Sequence, residues 1–225
     1  MSGAKDPLRL KISDSHYLGE KAYIILRDAI IAGEFAPGEW ISERQLSERM
    51  GVSTSPIKHA LKRLEYDGLV QNVPRRGRKV ADVAVALEEV CLIRAALEGV
   101  GARLAAEKAS TEDIERLHAC LKVMEQYTAE NRSKELVKAN AEFHGLIRTM
   151  ARSNYISQLV ETLRVYDDKV RSEALSEPEE AHRGLEEHTR IFEAIKNKDG
   201  SRAEQEIGNH VIRSAQFVLG KLRKR

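Results

Sequence analysis

The chain has 225 residues, with 37 Lys and Arg against 35 Asp and Glu, which gives a formal net charge of +2. Its 42% apolar residues exclude wholesale disorder, and its length allows one large domain or two small ones. No stretch approaches the ~20 apolar residues that cross a bilayer, the N-terminus lacks the apolar core of a signal peptide, and Cys91 and Cys120 are too few for a disulfide framework. We therefore expect a cytoplasmic protein with reduced, buried cysteines and no membrane partner.

The near-neutral total conceals an uneven distribution of charge. Residues 1–80 carry a net charge of +4, and residues 81–225 carry −2. Within residues 40–80 alone, nine basic side chains stand against four acidic ones. The asymmetry indicates two tasks, one of them at a polyanion.

The elements predicted for residues 15–80 follow the order helix, helix, turn, helix and hairpin. Pro37-Gly38 marks a turn, and Ser42 with Gln45 forms the capping-box pattern that begins a short helix. The predicted elements are a helix over 17–31, a helix from Ser42 to Gly51, a helix capped by Ser53 and ending at Tyr66, and strands over 69–73 and 78–81. This order predicts a helix-turn-helix followed by a β-wing.

The remainder of the chain shows helical periodicity alone. Stripes such as Leu92, Ala96, Val100 and Leu104 recur with a period near 3.6 residues, and the connections are short. The predicted helices cover 86–108, 111–129, 132–151, 153–174, 178–198 and 200–222. The fold is therefore expected to be mostly α with a small β-wing: a winged helix-turn-helix over 1–80 (core 15–80), a connector over 81–86, and an all-α antiparallel bundle over 87–225.

The third helix and the wing carry the residue types that read duplex DNA. A recognition helix presents small polar and basic side chains at its N-terminal end to the major groove, and two cations beside a glycine suit a minor groove. A solvated charged face would explain the charges alone, but not their coincidence with this element order. The candidate DNA-binding residues are Arg44, Ser53, Thr54, Ser55, Lys58, His59, Lys62, Arg75, Arg76 and Gly77.

Several runs in this region closely resemble the GntR family of bacterial transcriptional regulators. They are GEFAPG at 33–38, SERQLSE at 42–48, GVSTSPIKHAL at 51–61, and Leu64 with DGLV at 67–70. In that family the position of Arg44 and two positions of the recognition helix are usually DNA-contacting arginines. Here those two positions hold Thr54 and Lys58, and His59 stands where an acidic residue is common, so we expect an operator unlike that of most relatives.

Three of the seven histidines lie on apolar helix faces in the second half of the chain. Asn140 and His144 share one face at i, i+4, while His188 precedes Ile191 and Ile195 on an inward stripe. His210 lies beside a similar stripe. If the three rings converge, they suit a divalent metal such as Zn, Ni, Mn or Fe; otherwise they are ordinary polar or core residues.

Residues 87–215 resemble the FCD ligand-binding domain of the FadR subfamily, in its six-helix, VanR-like branch. The matching runs are IRAALE at 93–98, Asn140 with Phe143-His144, Ser153-Asn154, and Glu187-His188 through His210. The resemblance implies a divalent metal held by Asn140, His144, His188 and His210, with Asn140 where Asp is commoner. It further implies a small carboxylate effector, with Arg94 and Arg148 as candidate clamps unless they form internal salt bridges, as Arg94 could with Glu98.

Three functions remain open at this point. The first is a homodimeric, ligand-responsive transcriptional regulator, expected to be a repressor that binds a near-palindromic operator in double-stranded DNA. The second is a metal-dependent enzyme, which lacks a general base because Glu142 and Glu187 are expected to point away from His144 and His188. The third is an architectural DNA-binder with an inert bundle.

Overall fold

The computed structural model describes residues 14–163 and 171–222. The chain divides after Val83 into two compact units, which are described separately below. No helix within the described ranges is long and apolar enough to cross a membrane.

The N-terminal unit packs three helices against a three-stranded antiparallel sheet of order β1-β3-β2. Strand β1 was not predicted: Trp40 pairs with Lys79 and Ile41 with Arg78, so the segment before the second helix joins the wing. The elements are α1 (Asp14–Ala32), β1 (Trp40–Ile41), α2 (Glu43–Met50), α3 (Thr54–Tyr66), β2 (Val70–Val73) and β3 (Gly77–Val80).

The short helices of this unit begin and end largely where the local signals predict. The Ser42 side chain accepts a hydrogen bond from the Gln45 backbone N–H at 3.3 Å, and Gly51 ends α2 in the left-handed region at φ 65°. Ser53 occupies the predicted N-cap position of α3, but its side chain makes no capping hydrogen bond. The expectation that its hydroxyl caps the helix was therefore wrong.

The core of the N-terminal unit lies between α1 and α3. Ile57, Leu61 and Leu64 of α3 are fully buried. On α1, Tyr23 and Leu26 are buried, whereas Ile25 is 57% exposed. The face of α1 that packs in the core thus includes a tyrosine.

The C-terminal unit is helical throughout its described residues. Its long helices agree with the predicted ones to within about three residues, and residues 83–86 of the predicted connector belong to the first of them. Part of the predicted helix over 153–174 lies outside the described residues. The elements are α4 (Val83–Lys108), α5 (Thr111–Ala129), α6 (Ser133–Met150), α7 (Asn154–Thr162), a helical segment over 171–175, α8 (Pro178–Lys196) and α9 (Gly200–Leu222).

Helix α4 has an unexpected outer face. Ala102, Ala105 and Ala106 are fully buried, but Leu92 is 54% and Val100 is 43% exposed. The apolar stripe that indicated this helix therefore lies on its outer face. The small alanines allow close packing of this helix against its neighbours, and the larger apolar side chains face away from the bundle.

Both cysteines are buried and reduced, as predicted. Burial raises the pKa of the Cys120 thiol to about 11, so this side chain is a poor nucleophile at neutral pH.

Candidate nucleic-acid interface and metal centre

The predicted DNA-binding side chains all lie on the surface of the N-terminal unit, at α2, α3 and the wing turn. Arg44 is 87% exposed and pairs with Glu48 at 2.9 Å, while Lys58 is 63% exposed and lies 3.9 Å from Glu43. Ion pairs this exposed contribute at most about 1 kcal/mol, so both cations can exchange a carboxylate for a phosphate at little cost. The face can therefore bind a polyanion without rearrangement of the fold.

The wing turn presents two arginines and a glycine. Arg75 has a φ of 63° and Gly77 a φ of 104°, so the chain reverses through two left-handed residues. The Arg76 guanidinium lies 5.1 Å from the centre of the exposed Trp40 ring. This cation–π contact extends the basic tip of the wing and holds one of its cations in place.

Arg78 was not singled out from the sequence, yet it ties the wing to the helix pair. Its Nη1 donates to Glu43 at 2.6 Å and its Nε to Glu65 at 3.4 Å. The guanidinium therefore connects β3 to α2 and α3. No sequence signal reveals this link, because its partners lie 35 and 13 residues away.

His59 is exposed on α3, and its ring also contacts α1. A Cβ placed on Gly19 of α1 would lie 2.9 Å from His59 Nδ1, so the ring rests directly on the glycine. Gly19 leaves room for the close approach of α1 to this histidine, and the contact restricts the directions in which the ring can point.

In the C-terminal unit, the structure brings together the three histidines predicted to bind a metal. His144 on α6, His188 on α8 and His210 on α9 are each buried, and one ring nitrogen from each lies within 4.8 Å of the others. Nε2 of His188 is 3.3 Å from Nε2 of His144. Two nitrogens bound to one tetrahedral Zn²⁺ at about 2.0–2.1 Å are separated by about 3.3 Å, so the cluster fits a metal ion.

His144 and His188 are in the protonation state that metal ligands need. Burial lowers the pKa of His144 to about 4. Burial, followed by the neighbouring His210 and His144, lowers the pKa of His188 well below its usual value. Both rings are therefore neutral at pH 7 and retain a lone pair for a cation.

Two glutamates lie within hydrogen-bond distance of Nδ1 atoms in the cluster. Glu98 Oε2 lies 2.6 Å from Nδ1 of His144, and Glu187 Oε2 lies 2.7 Å from Nδ1 of His210. Glu142 was expected to point away from His144 and His188, and its exposed position agrees with this expectation. Glu187 was expected to point away from the site; it turns from His188 but is buried against His210.

A small cavity of about 30 Å³ adjoins the histidines. Asn140, 3% exposed, lines it together with His144 and His210, as the i, i+4 spacing predicts. Arg94 forms the internal salt bridge weighed for it, with its Nε donating to Glu98 at 2.7 Å, and it also lines the cavity. Within the described ranges, Arg148 is half-buried and is not among the lining residues.

Arg171 and Arg213 complete the basic side of this cavity, and sequence reasoning missed both. Arg213 binds Glu187 and Glu180 of α8, with its Nε 2.5 Å from Glu187. The site thus combines neutral ligand atoms with guanidinium groups. Such a combination suits a cation together with an anionic small molecule.

Both units match known sequence families. Residues 18–80 match the family described as "Bacterial regulatory proteins, gntR family", and residues 89–213 match the "FCD domain". The HTH-type transcriptional regulator YdhC of Bacillus subtilis is 30% identical over 207 residues, which cover 91% of this chain and 92% of that protein. The HTH-type transcriptional repressor RspR of Escherichia coli is 26% identical over 92% of each chain.

Solved structures show the same fold. McbR/YncC of E. coli superposes with a TM-score of 0.63 at 21% identity, covering 92% of this chain and 98% of that one. Lar, which controls expression of the Listeria monocytogenes agr system, superposes with a TM-score of 0.64 at 20% identity over 93% and 99% of the two chains.

Proposed function

The chain belongs to the GntR family of bacterial transcriptional regulators with an FCD domain, and from this premise we propose that it is a repressor whose DNA binding responds to a divalent metal and a small carboxylate. The observation that carries the proposal is the buried cluster of His144, His188 and His210, beside a cavity lined by arginines. Repression is supported by the similarity to the repressor RspR. Because its target is chromosomal DNA, the protein acts in the bacterial cytoplasm.

The metal would be held by the three histidines and by Asn140. Three imidazole nitrogens and one amide oxygen form a set that suits Zn, Ni, Mn or Fe. An amide oxygen binds a cation less strongly than a carboxylate, and Asn140 is therefore the residue that keeps the affinity modest. Modest affinity leaves room for regulation by metal availability.

The effector would be a small organic acid bound between the metal and the arginines of the cavity. Arg94 remains a candidate partner for its carboxylate, together with Arg171 and Arg213. A cavity of about 30 Å³ has space for about one or two water molecules. Effector binding would therefore displace side chains, and this displacement would favour one conformation of the regulator over another.

The active form would be a homodimer. The exposed apolar face of α4, formed by Val85, Leu92, Ile93 and Val100, is unusual for a helix that is otherwise packed in a bundle. A second copy of the chain is the occupant that two-fold symmetry and a near-palindromic operator require.

The test measures binding of the full chain to DNA from the region upstream of its own gene. Fluorescence anisotropy reports the binding at a series of salt concentrations. Metal-loaded and chelator-treated protein would be compared with and without a panel of small mono- and dicarboxylates. We expect selective, salt-sensitive binding that at least one acid weakens in the presence of metal. Selective binding that neither metal nor any acid alters would favour the architectural DNA-binder instead.

A further inference from the structure

Two arginine–glutamate–histidine chains converge on the histidine cluster. In the first, Arg94 Nε donates to Glu98 Oε1 at 2.7 Å, and Glu98 Oε2 lies 2.6 Å from Nδ1 of His144. In the second, Arg213 Nε donates to Glu187 Oε1 at 2.5 Å, and Glu187 Oε2 lies 2.7 Å from Nδ1 of His210. Glu98 thus offers one oxygen to a guanidinium and the other to a ring, whereas Oε2 of Glu187 accepts from Arg213 Nη2 at 2.9 Å as well as facing the ring.

Both glutamate side chains are placed to accept hydrogen bonds. A guanidinium can only donate, so the glutamate oxygens that face Arg94 and Arg213 act as acceptors. A carboxylate paired in this way with a guanidinium has no proton to donate to a ring. Nδ1 of each histidine therefore carries the proton.

From this geometry we propose that Glu98 and Glu187 are positioning residues of the metal site, which hold His144 and His210 as Nδ1–H tautomers with their Nε2 lone pairs facing the cation. The inference rests on the proposed metal site and adds to it the residues that prepare its ligands. A carboxylate behind the ring also increases the basicity of the ligand nitrogen. This contribution matters more here because Asn140 brings no negative charge to the set.

The arginines set the orientation of the carboxylates. Glu187 and His188 are adjacent on α8, yet Glu187 serves His210 of α9 while His188 enters the cluster itself. Arg213 makes this division possible, because its bonds to Glu180 and Glu187 fix the Glu187 side chain toward α9. On α4, the i, i+4 pair of Arg94 and Glu98 fixes the other carboxylate in the same way.

Replacing either glutamate by glutamine gives a sharp test. Glutamine keeps the size of the side chain but has one acceptor oxygen, which the neighbouring arginine will bind. The amide NH₂ then faces Nδ1, so the histidine must carry its proton on Nε2 and loses the lone pair needed by the metal. We expect E98Q and E187Q each to weaken Zn²⁺ binding by about 10–100-fold, the usual effect of losing such a partner.

Zn²⁺ affinity would be measured on the full chain by competition with a chromophoric chelator. Glu206→Gln is the matched control, because Glu206 lies on α9 and its ion pairs in the described chain are with Arg190 and Arg202. Nitrogen-15 NMR of the histidine rings would report the tautomers directly. The wild type should show Nδ1–H at His144 and His210, and each glutamine variant should switch the tautomer of its own partner.

The outcomes separate the inference from the proposed function. A wild type that binds no Zn²⁺ would overturn the metal site and the inference with it. Wild-type binding with unchanged affinity in E98Q and E187Q would overturn the inference alone. Should E98Q fail to fold, E187Q and the tautomers of the wild type decide the matter, and Nε2–H rings at His144 and His210 in the wild type would contradict it.

Discussion

His188 allows the simplest single-residue test of the metal centre, because α8 also carries a histidine outside the cluster. His188 is 1% exposed, whereas His182 is exposed and its Nδ1 lies 2.8 Å from the Pro178 carbonyl oxygen. We expect His188→Ala to lose bound Zn²⁺ and the thermal stabilisation that Zn²⁺ gives, since a ligand has been removed. His182→Ala should keep one Zn²⁺ per chain, as measured by elemental analysis after dialysis; equal metal content in the two variants would exclude His188 as a ligand.

Tyr23 provides a residue-scale test in the N-terminal unit. Burial, together with its hydrogen bond to Asp67, raises the pKa of Tyr23 from 10.0 to about 12. The folded state therefore holds this proton more tightly than the unfolded state. The resulting stabilisation is complete below about pH 10 and is lost as the pH rises toward about 12.

We expect Tyr23→Phe to remove this alkaline loss of stability and to lower the free energy of unfolding at pH 7 by about 1 kcal/mol, because a buried hydrogen bond is lost. An absorbance titration of tyrosine combined with denaturant unfolding measures both effects. Tyr66→Phe is the control, since Tyr66 is 80% exposed and its removal should leave stability at pH 7 unchanged. A wild type in which every tyrosine titrates near pH 10 would refute the prediction.

At the level of single residues, the sequence predicted the histidine cluster better than its surroundings. Asn140 and His144 share a helix face by spacing alone, and the apolar neighbours of His188 indicated an inward ring. The roles of Glu187 and Arg213 could not be predicted, because they depend on the packing of α8 against α9. For Arg148 the sequence predicted a position at the site that the structure does not show. It lies one turn beyond His144 on α6, but it does not line the cavity.

At the scale of elements, two arginines of the wing differ in their contacts. Arg78 connects the wing to α2 and α3, whereas Arg76 is an exposed cation at its tip. We expect Arg78→Ala to lower the free energy of unfolding by about 1 kcal/mol, because its ion pairs with Glu43 and Glu65 are only half-buried. Its operator affinity should also fall, since the wing is no longer held against α2 and α3. Thermal unfolding and fluorescence anisotropy measure the two effects.

Arg76→Ala is the paired variant for the wing. We expect it to leave the unfolding temperature unchanged, to weaken binding to all DNA sequences, and to reduce the slope of log affinity against log salt by about one. Anisotropy at several salt concentrations gives this slope. A slope equal to that of the wild type would mean that Arg76 touches no phosphate.

The helix boundaries were predictable because their signals are local. Ser110 and Asp113 form the full capping box at the start of α5, and glycines in the left-handed region end α1 and α2. Strand β1 was missed because a segment of two residues shows no periodicity. It forms only because its backbone pairs with the free edge of β3. The outward position of the apolar stripe on α4 could not be predicted, since its period alone does not show which apolar face a neighbour covers.

At the scale of the whole molecule, the apolar face of α4 leads to a prediction about assembly. We expect Leu92→Glu to convert the protein from dimer to monomer and to weaken operator binding, because a charge would be buried at the contact and one half-site would be lost. Sedimentation velocity at several concentrations measures the assembly state. Val123→Glu, on an exposed position of α5, should show the same assembly state as the wild type; a dimeric Leu92→Glu protein would place the interface elsewhere.

The three histidines come from different helices, and His188 follows His144 by 44 positions in the chain. A metal ion shared by them would act as a reversible cross-link that closes a long loop and joins α6, α8 and α9 at one point. Such a link forms only after the last helix has been synthesised and has packed. The C-terminal unit would therefore become most resistant to proteases late in folding. The degree of this resistance would depend on the metal concentration at the time the chain folded.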